Sequence, residues 1–348
     1  MRALVYNGPG RISWEEVPEP SIAAETDAVV AVDATTISWS ELSALRGGAP
    51  ELPRGRILGH EAVGRVAELG SAVRHVRVGD RVLVSSVSGC GVCRFCREGR
   101  YGQCLGGGGS VLGRSVDGTQ AELVRVPYAG TGVHLVPAGV SDEEALMLAS
   151  VVPAAYEVGV LAGGVSPGDV VAVVGSGPVG LAALACSKLF APSRVVVVER
   201  SATRRNLAKH LGADAVVDPE REDVLEAVRT LGEGLGADLA IEAAGVTSAF
   251  ELAVELVRPG GRVAVVGSHV APATLHLERI WQKDLAITTG TVDTSSIPKL
   301  LELVRSRQLD VRALVTHRFV REEIEAAYET FADAERSGAL KVVLTAAG

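Results

Sequence analysis

Val170-Val171-Ala172-Val173-Val174 runs directly into Gly175-Ser176-Gly177-Pro178-Val179-Gly180, and an apolar stretch with helical character follows from Leu181 to Leu189. A short, wholly apolar run bounded by glycine reads as a buried strand. A G-x-G-x-x-G turn between such a strand and a helix predicts the opening of a dinucleotide-binding βαβ unit. The glycines let the backbone turn tightly and approach a pyrophosphate, whose charge is met by free amides and the positive end of the helix dipole. Glu199 closes the next predicted strand about 20 residues on, where a carboxylate would accept hydrogen bonds from the adenosine ribose hydroxyls. That residue favours NAD(H) and weakens the alternative of a glycine-rich turn in some other α/β protein. Arg200, Arg204 and Arg205 follow it, and one of them could hold the 2′-phosphate of NADP(H) or simply belong to a solvated helix start.

Downstream of this turn, apolar strands at Val195 to Val198, Leu239 to Glu242 and Val263 to Val266 alternate with helical segments. Near-continuous apolar strands predict a parallel, doubly wound sheet buried on both faces, which is an α/β class unit. Upstream, from Met1 to about Val126, short β-rich pieces such as Ala28 to Val32 and Arg81 to Val84 are separated by Gly, Pro and Asp turns, so this part reads as all-β. The texture mixes again after about Gly290, with a helix expected over Ile297 to Val304 and a closing strand over Leu340 to Leu344. The expected division is 1–152, 153–289 and 290–348. The run Gly106 to Gly109 reads as a flexible loop.

At 348 residues with 47% hydrophobic and 22% charged residues, the chain can bury two cores. A net charge of −8 without a basic run excludes nucleic acid or an anionic membrane as the main partner and leaves a small molecule. Met1-Arg2-Ala3-Leu4-Val5-Tyr6 lacks the apolar stretch of a signal peptide, and the expectation is a cytoplasmic protein. Four of the five cysteines form Cys90-x2-Cys93-x2-Cys96-x7-Cys104, with Gly89, Gly91 and Gly99 allowing the chain to wrap an ion. Four thiolates suit one tetrahedral structural zinc and leave no open position for chemistry. An iron–sulfur cluster is the competing occupant, disfavoured because nothing else in the chain implies electron transfer. Cys186 falls in an apolar helical pattern and is expected in a core.

A β-rich domain with a four-cysteine lobe, followed by this Rossmann unit, resembles the zinc-type alcohol dehydrogenase family of medium-chain dehydrogenases across essentially the whole chain. The matching segments are Gly59-His60-Glu61 with Gly64, Gly79-Asp80-Arg81-Val82, the cysteine lobe, Asp117-Gly118-Thr119-Gln120-Ala121-Glu122, and Gly175 to Gly180. The resemblance implies a GroES-like β-rich catalytic domain, a Rossmann coenzyme domain, and a return to the first domain at the end. It also implies a substrate in the cleft between them, NAD(P)-dependent oxidoreductase activity, and a homodimer or homotetramer.

The family commonly holds a second, catalytic zinc with a Cys, a His and a further Cys or Asp, and His60 with Glu61 matches the histidine element. At the other two positions this chain has Ser38, in Ile37-Ser38-Trp39-Ser40-Glu41-Leu42-Ser43, and Ser150, in Leu148-Ala149-Ser150-Val151-Val152. A neutral hydroxyl is a poor substitute for thiolate or carboxylate, so the expectation is a structural zinc without a catalytic one. The alternative keeps a weakly held zinc on His60, Glu61 and water.

Without the metal, a protein group must protonate the reduced bond, or the substrate must be an electron-poor C=O, C=N or C=C. The candidate donors are Ser40, aligned with the family's relay hydroxyl, Ser43, His60 and Tyr156. Each of them could instead be cleft lining or packing. Trp39, at a position normally small or polar, is expected to reshape the substrate pocket. Lys341 aligns with a basic residue that the family uses near the coenzyme phosphates, or is a strand-edge lysine in solvent. The other histidines, His75, His134, His210, His269, His276 and His317, lack ligand spacing. The rival functions are an ordinary zinc alcohol dehydrogenase and a non-catalytic nucleotide-binding relative.

Overall fold

A computed structural model describes residues 1–48 and 52–346. The chain divides into two units: Met1–Ser150 with Asp293–Arg307 and Val315–Gly348, and Val151–Val292 with Gln308–Leu314. The expected return at residue 290 is therefore a return at Asp293, interrupted by one short segment that stays with the second unit.

The first eight strands are β1 (Arg2–Gly8), β2 (Arg11–Glu16), β3 (Ala28–Thr36), β4 (Arg56–Ile57), β5 (Ala62–Leu69), β6 (Arg81–Val84), β7 (Leu123–Val126) and β8 (Val133–Leu135). The second unit contributes β9 (Val170–Val174), β10 (Arg194–Val198), β11 (Ala215–Val217), β12 (Ala237–Glu242), β13 (Val257–Val265) and β14 (Ala286–Thr289). The chain ends on β15 (Val315–Val320) and β16 (Lys341–Thr345).

In the first unit, β1 pairs with β2 and β4, while the larger sheet runs β15-β16-β3-β5-β6-β8 with β7 also on β3. All of these pairings are antiparallel except β15 with β16. Alternation along the strands turns Val30, Val32, Val66, Val82 and Val84 into one core with Val124 and Val126. The closing strand β16 is not an edge: it lies between β15 and β3 and is buried over its first four residues.

The second unit is a six-stranded sheet in the order β11-β10-β9-β12-β13-β14, with every pairing parallel. Its first strand is central, and the order reverses between β9 and β12, the feature of a doubly wound sheet. β9 is buried throughout, which is why it carries no polar alternation. The helix Pro178–Lys188 follows it directly and buries Cys186, whose thiol is pushed up to about 12 by burial, in keeping with a core role. Among the described residues, no helix is long and apolar enough to cross a membrane.

The run Gly106 to Gly109, expected as a loop, packs against the cysteine lobe. Gly109 exchanges both backbone hydrogen bonds with Ser88, and the Gly106 N–H donates to Cys104 Sγ at 3.3 Å. A Cβ on Gly106 would lie 2.8 Å from Cys90 Cβ, and one on Gly108 would lie 2.5 Å from the Ser88 carbonyl oxygen. Gly106 and Gly108 thus permit close approach, while Gly107 and Gly109 take φ of +83° and +106°.

Candidate functional site

His60 sits in the turn between β4 and β5, where Gly59 adopts φ +94°. A Cβ on Gly59 would come within 2.7 Å of the Thr119 and Gln120 side chains, and one on Gly118 within 2.1 Å of the Gly59 carbonyl oxygen. The two glycines thus let the His60 turn lie flat against the segment 117–122. Thr119 Oγ1 accepts from the Glu61 N–H at 3.1 Å, and Gln120 Nε2 donates to the Thr36 carbonyl at 3.0 Å, so that segment ties the His60 turn to the end of β3. Tyr328 OH closes the network by donating to Gln120 Oε1 at 2.8 Å.

Four ionisable groups line up at this point. His60 Nδ1 lies 2.6 Å from Glu41 Oε1, and His60 Nε2 lies 3.7 Å from Glu61 Oε1. Glu61 Oε2 in turn accepts from Lys341 Nζ at 2.6 Å. Lys341 is only 2% exposed, as is Glu61, and the ammonium also donates to the Ile37 carbonyl at 3.3 Å. Buried charges of this kind persist only when paired and hydrogen-bonded. Burial by itself pushes the His60 imidazole down, but the charge and hydrogen bond of Glu41, with the charge of Glu61, outweigh both that and the opposing Lys341, and the net direction is up. Burial likewise pushes Glu41 up, and its interactions with His60 and Ser38 overcome this, so its carboxyl is held below the ordinary range.

Glu41 is the residue that sequence reasoning missed. Its signal was present as Ser38-x-x-Glu41, the capping-box pattern at the start of the helix Trp39–Leu45. Ser38 Oγ accepts from the Ser40 N–H at 3.2 Å, and Glu41 Oε2 accepts from the Ser38 N–H at 2.7 Å. One carboxylate therefore both caps a helix and clasps His60. The Ser38 hydroxyl is also 2.8 Å from Ser40 Oγ, so two of the candidate hydroxyls share one hydrogen bond. Ser43 lies half-buried on the same helix, and Ser150 is half-buried at the end of the first unit's leading segment. Trp39 is exposed, and the Arg46 guanidinium lies over its ring at 5.5 Å.

The four lobe cysteines place their sulfurs within 4.8 Å of one another, and they are the one such His/Cys/Asp/Glu cluster among the described residues. Tetrahedral zinc with bonds of about 2.3 Å needs sulfurs about 3.8 Å apart, so a small inward adjustment completes the shell. The Cys93 thiol is held down at about 6, chiefly by the backbone N–H groups of Cys96 and Leu105. Burial pushes Cys104 up, and N–H donors from Cys90, Gly106 and Gly108 more than offset it. Amides aimed at sulfur stabilise thiolates, which is the form a metal takes.

In the second unit Gly175 takes φ +90°, and a Cβ on Gly180 would lie 1.9 Å from the Gly175 carbonyl oxygen. Gly177 caps the helix Pro178–Lys188 with no side-chain hydrogen bond and with open space where its Cβ would be, among the described residues. Free first-turn amides beside open space form a cradle for a pyrophosphate. The buried Glu199 carboxylate accepts from the Ser176 N–H at 2.8 Å and from the Ser201 N–H at 2.8 Å, which anchors it beside the turn. Arg205 is committed to Asp218 at 2.9 Å and to the Glu199 and Arg200 carbonyls, while Arg200 is exposed and Arg204 half-buried.

Residues 24–138 match the model of the alcohol dehydrogenase GroES-like domain, and residues 178–306 match that of the zinc-binding dehydrogenase. An alcohol dehydrogenase of Cupriavidus necator is 32% identical over 99% of this chain and 98% of its own length. The solved apo structure of the zinc dependent alcohol dehydrogenase 2 from Streptococcus pneumonia superposes with a TM-score of 0.94 at 38% identity, covering 99% of this chain and 98% of that one. The chain belongs to the zinc-type alcohol dehydrogenase family of medium-chain dehydrogenases. Two further proteins to which the chain is similar have been solved with coenzyme. One is a zinc-binding dehydrogenase of Sinorhizobium meliloti 1021 bound to NADP, with TM-score 0.87 and 28% identity over 99% of this chain and 98% of that one. The other is an E. coli CFT073 alcohol dehydrogenase complexed with NADH, with TM-score 0.89 and 27% identity over 99% of both chains. As a member of this zinc-type alcohol dehydrogenase family, the chain is an NAD(P)-dependent oxidoreductase.

Two further candidates from the family resemblance are buried, which rules out the solvent-exposed alternative for Lys341. Lys341, expected near the coenzyme phosphates or in solvent, is buried with its ammonium on Glu61, because β16 is interior to its sheet. Tyr156, a candidate proton donor, is 4% exposed in the second unit with its ring 6.2 Å from Phe190, and burial pushes its phenol up.

The clasp on His60 is directly measurable. In Glu41→Gln the strongest upward influence on the imidazole is gone, so His60 titrates at lower pH than in the unsubstituted chain when followed by NMR of its ring. An unchanged titration contradicts the assignment of Glu41.

Proposed function

We propose that this enzyme reduces an activated C=O, C=N or C=C bond of a small molecule with a structural zinc alone, using His60 as the proton donor. The residue types at the two other ligand positions that the family resemblance implies carry this reading. Where relatives of the family place thiolate or carboxylate, the chain has Ser38, whose hydroxyl is engaged at a helix cap, and Ser150. Neutral hydroxyls do not hold a divalent cation against water. The Glu41 and Glu61 carboxylates beside the ring favour its protonated form, which suits a proton donor.

When bound, the reduced nicotinamide supplies the hydride. His60 Nε2 then delivers a proton to the oxygen, nitrogen or carbon that receives the electron pair of the breaking π bond. Glu41 keeps Nδ1 protonated and fixes the ring, and Lys341 neutralises Glu61 so that a single net charge change accompanies the transfer. Ser40 and Ser38 form a hydroxyl pair beside Glu41 that can orient a polar group or pass a proton from water. Ser43 is a further hydroxyl on that helix. The lobe of Cys90, Cys93, Cys96 and Cys104 would hold zinc with a closed shell, which fixes its loop and supplies no chemistry.

A second reading, alcohol oxidation with a catalytic zinc on His60, is favoured by one observation. A carboxylate on Nδ1 is also how a metal-bound imidazole is commonly oriented. The donor set counts against it.

On coenzyme choice, the anchored and buried Glu199 favours NAD(H), since a 2′-phosphate would approach a fixed negative charge. Arg205 is already committed to Asp218, which leaves Arg200 and Arg204 as the cations for NADP(H).

Two outcomes follow. Replacing His60 with Gln lowers reduction by about 10²- to 10⁴-fold while coenzyme still binds, and in the unsubstituted enzyme reduction declines as pH rises through the elevated His60 pKa. A His60→Gln variant with unimpaired turnover refutes the donor assignment. Steady-state comparison shows NADH preferred to NADPH, and Glu199→Ala narrows that preference by about tenfold or more; equal use of the two coenzymes before and after the substitution refutes the role of Glu199.

A further inference from the structure

Glu242, at the carboxyl end of β12, is a fully buried carboxylate that plays no part in the chemistry proposed for His60. Its Oε1 accepts from the Ala244 N–H at 2.8 Å and the Gly245 N–H at 2.7 Å, and its Oε2 lies 3.1 Å from His269 Nε2. An ionised carboxylate offers no hydrogen, so the ring nitrogen is the donor and the imidazole is held in the form protonated at Nε2. Phe250 packs against the ring in an edge-on contact, with centroids 6.3 Å apart at 84°. His269 nevertheless keeps 19% of its side chain exposed.

The place of this pair in the sheet gives it meaning. Gly245 has φ +71°, and a Cβ there would lie 2.8 Å from the Ser268 carbonyl oxygen; one on Gly267 would lie 2.3 Å from the Gly245 nitrogen and 2.5 Å from Glu242 Oε2. A Cβ on Gly175 would meet Ala244 Cβ at 2.9 Å. The turns that follow β9, β12 and β13 are therefore interlocked at backbone distance, and Glu242 is the polar hub beneath them. In a doubly wound sheet the coenzyme crosses the point where the strand order reverses, here between β9 and β12. The glycine turn and Glu199 serve the adenosine and pyrophosphate half, and the carboxyl ends of β12 and β13 serve the other mononucleotide.

We propose that His269, held by Glu242, is a positioning residue for the nicotinamide half of the coenzyme. It fixes the Gly267–His269 backbone against the Ala243–Gly245 turn, so the surface that receives the nicotinamide mononucleotide is set before binding. The inference rests on nicotinamide-coenzyme use by the family and is independent of which group protonates the substrate at His60.

The test is equilibrium binding, read by calorimetry without turnover. Dissociation constants for NADH and for ADP are measured on the full chain and on its His269→Ala and His269→Gln variants. ADP occupies only the first half, so it controls for general loss of the fold. The expected result is that His269→Ala weakens NADH by about tenfold and ADP by less than about twofold, while His269→Gln, which keeps an N–H for Glu242, recovers NADH to within about threefold. The proposal is overturned if His269→Ala leaves NADH binding unchanged, if ADP weakens as much as NADH, or if Gln is no better than Ala.

Discussion

A row of ionisable groups largely shielded from solvent, Glu41, His60, Glu61 and Lys341, is the constraint around which the first unit is arranged. Unpaired, any one of these groups would be too costly to bury, and together they demand that three separate stretches of chain meet. The capped helix Trp39–Leu45 brings Glu41, the Gly59 turn brings His60 and Glu61, and the interior strand β16 brings Lys341. The segment 117–122 acts as the splint, with Gly118 permitting contact and Thr119 and Gln120 making the hydrogen bonds.

The second unit solves a different problem with the same device. Its turns must expose amides to a pyrophosphate, which requires glycine and leaves little side-chain packing to hold them. Two buried carboxylates supply the missing order. Glu199 gathers N–H groups from Ser176 and Ser201 on one side of the switch point, and Glu242 gathers those of Ala244 and Gly245 on the other.

Local signals in the sequence carried most of the fold. The β9 run and its glycine turn were legible because strand, turn and helix are contiguous, and the lobe cysteines because their spacing is short. Glu41 was written in a local pattern too, as the fourth residue of a capping box, but its second role depends on His60 and is invisible from the helix alone. The Lys341–Glu61 pair joins positions 280 apart, and only knowledge of where β16 enters its sheet reveals it. His269 was set aside for lacking ligand spacing, since its partner is a carboxylate that the pattern of β12 shows only as a strand end. For the glycines 106–109, composition alone does not reveal that Gly106 and Gly108 allow close approach to the cysteine lobe.

The central claim is that His60 lies in an ion pair and not in a metal shell. Elemental analysis of the purified protein, combined with anomalous X-ray scattering at the zinc edge, tests it most directly. The account predicts about one zinc per chain, located among Cys90, Cys93, Cys96 and Cys104. A second, fully occupied ion about 2.0–2.1 Å from His60 Nε2 would contradict it and restore metal-assisted alcohol oxidation.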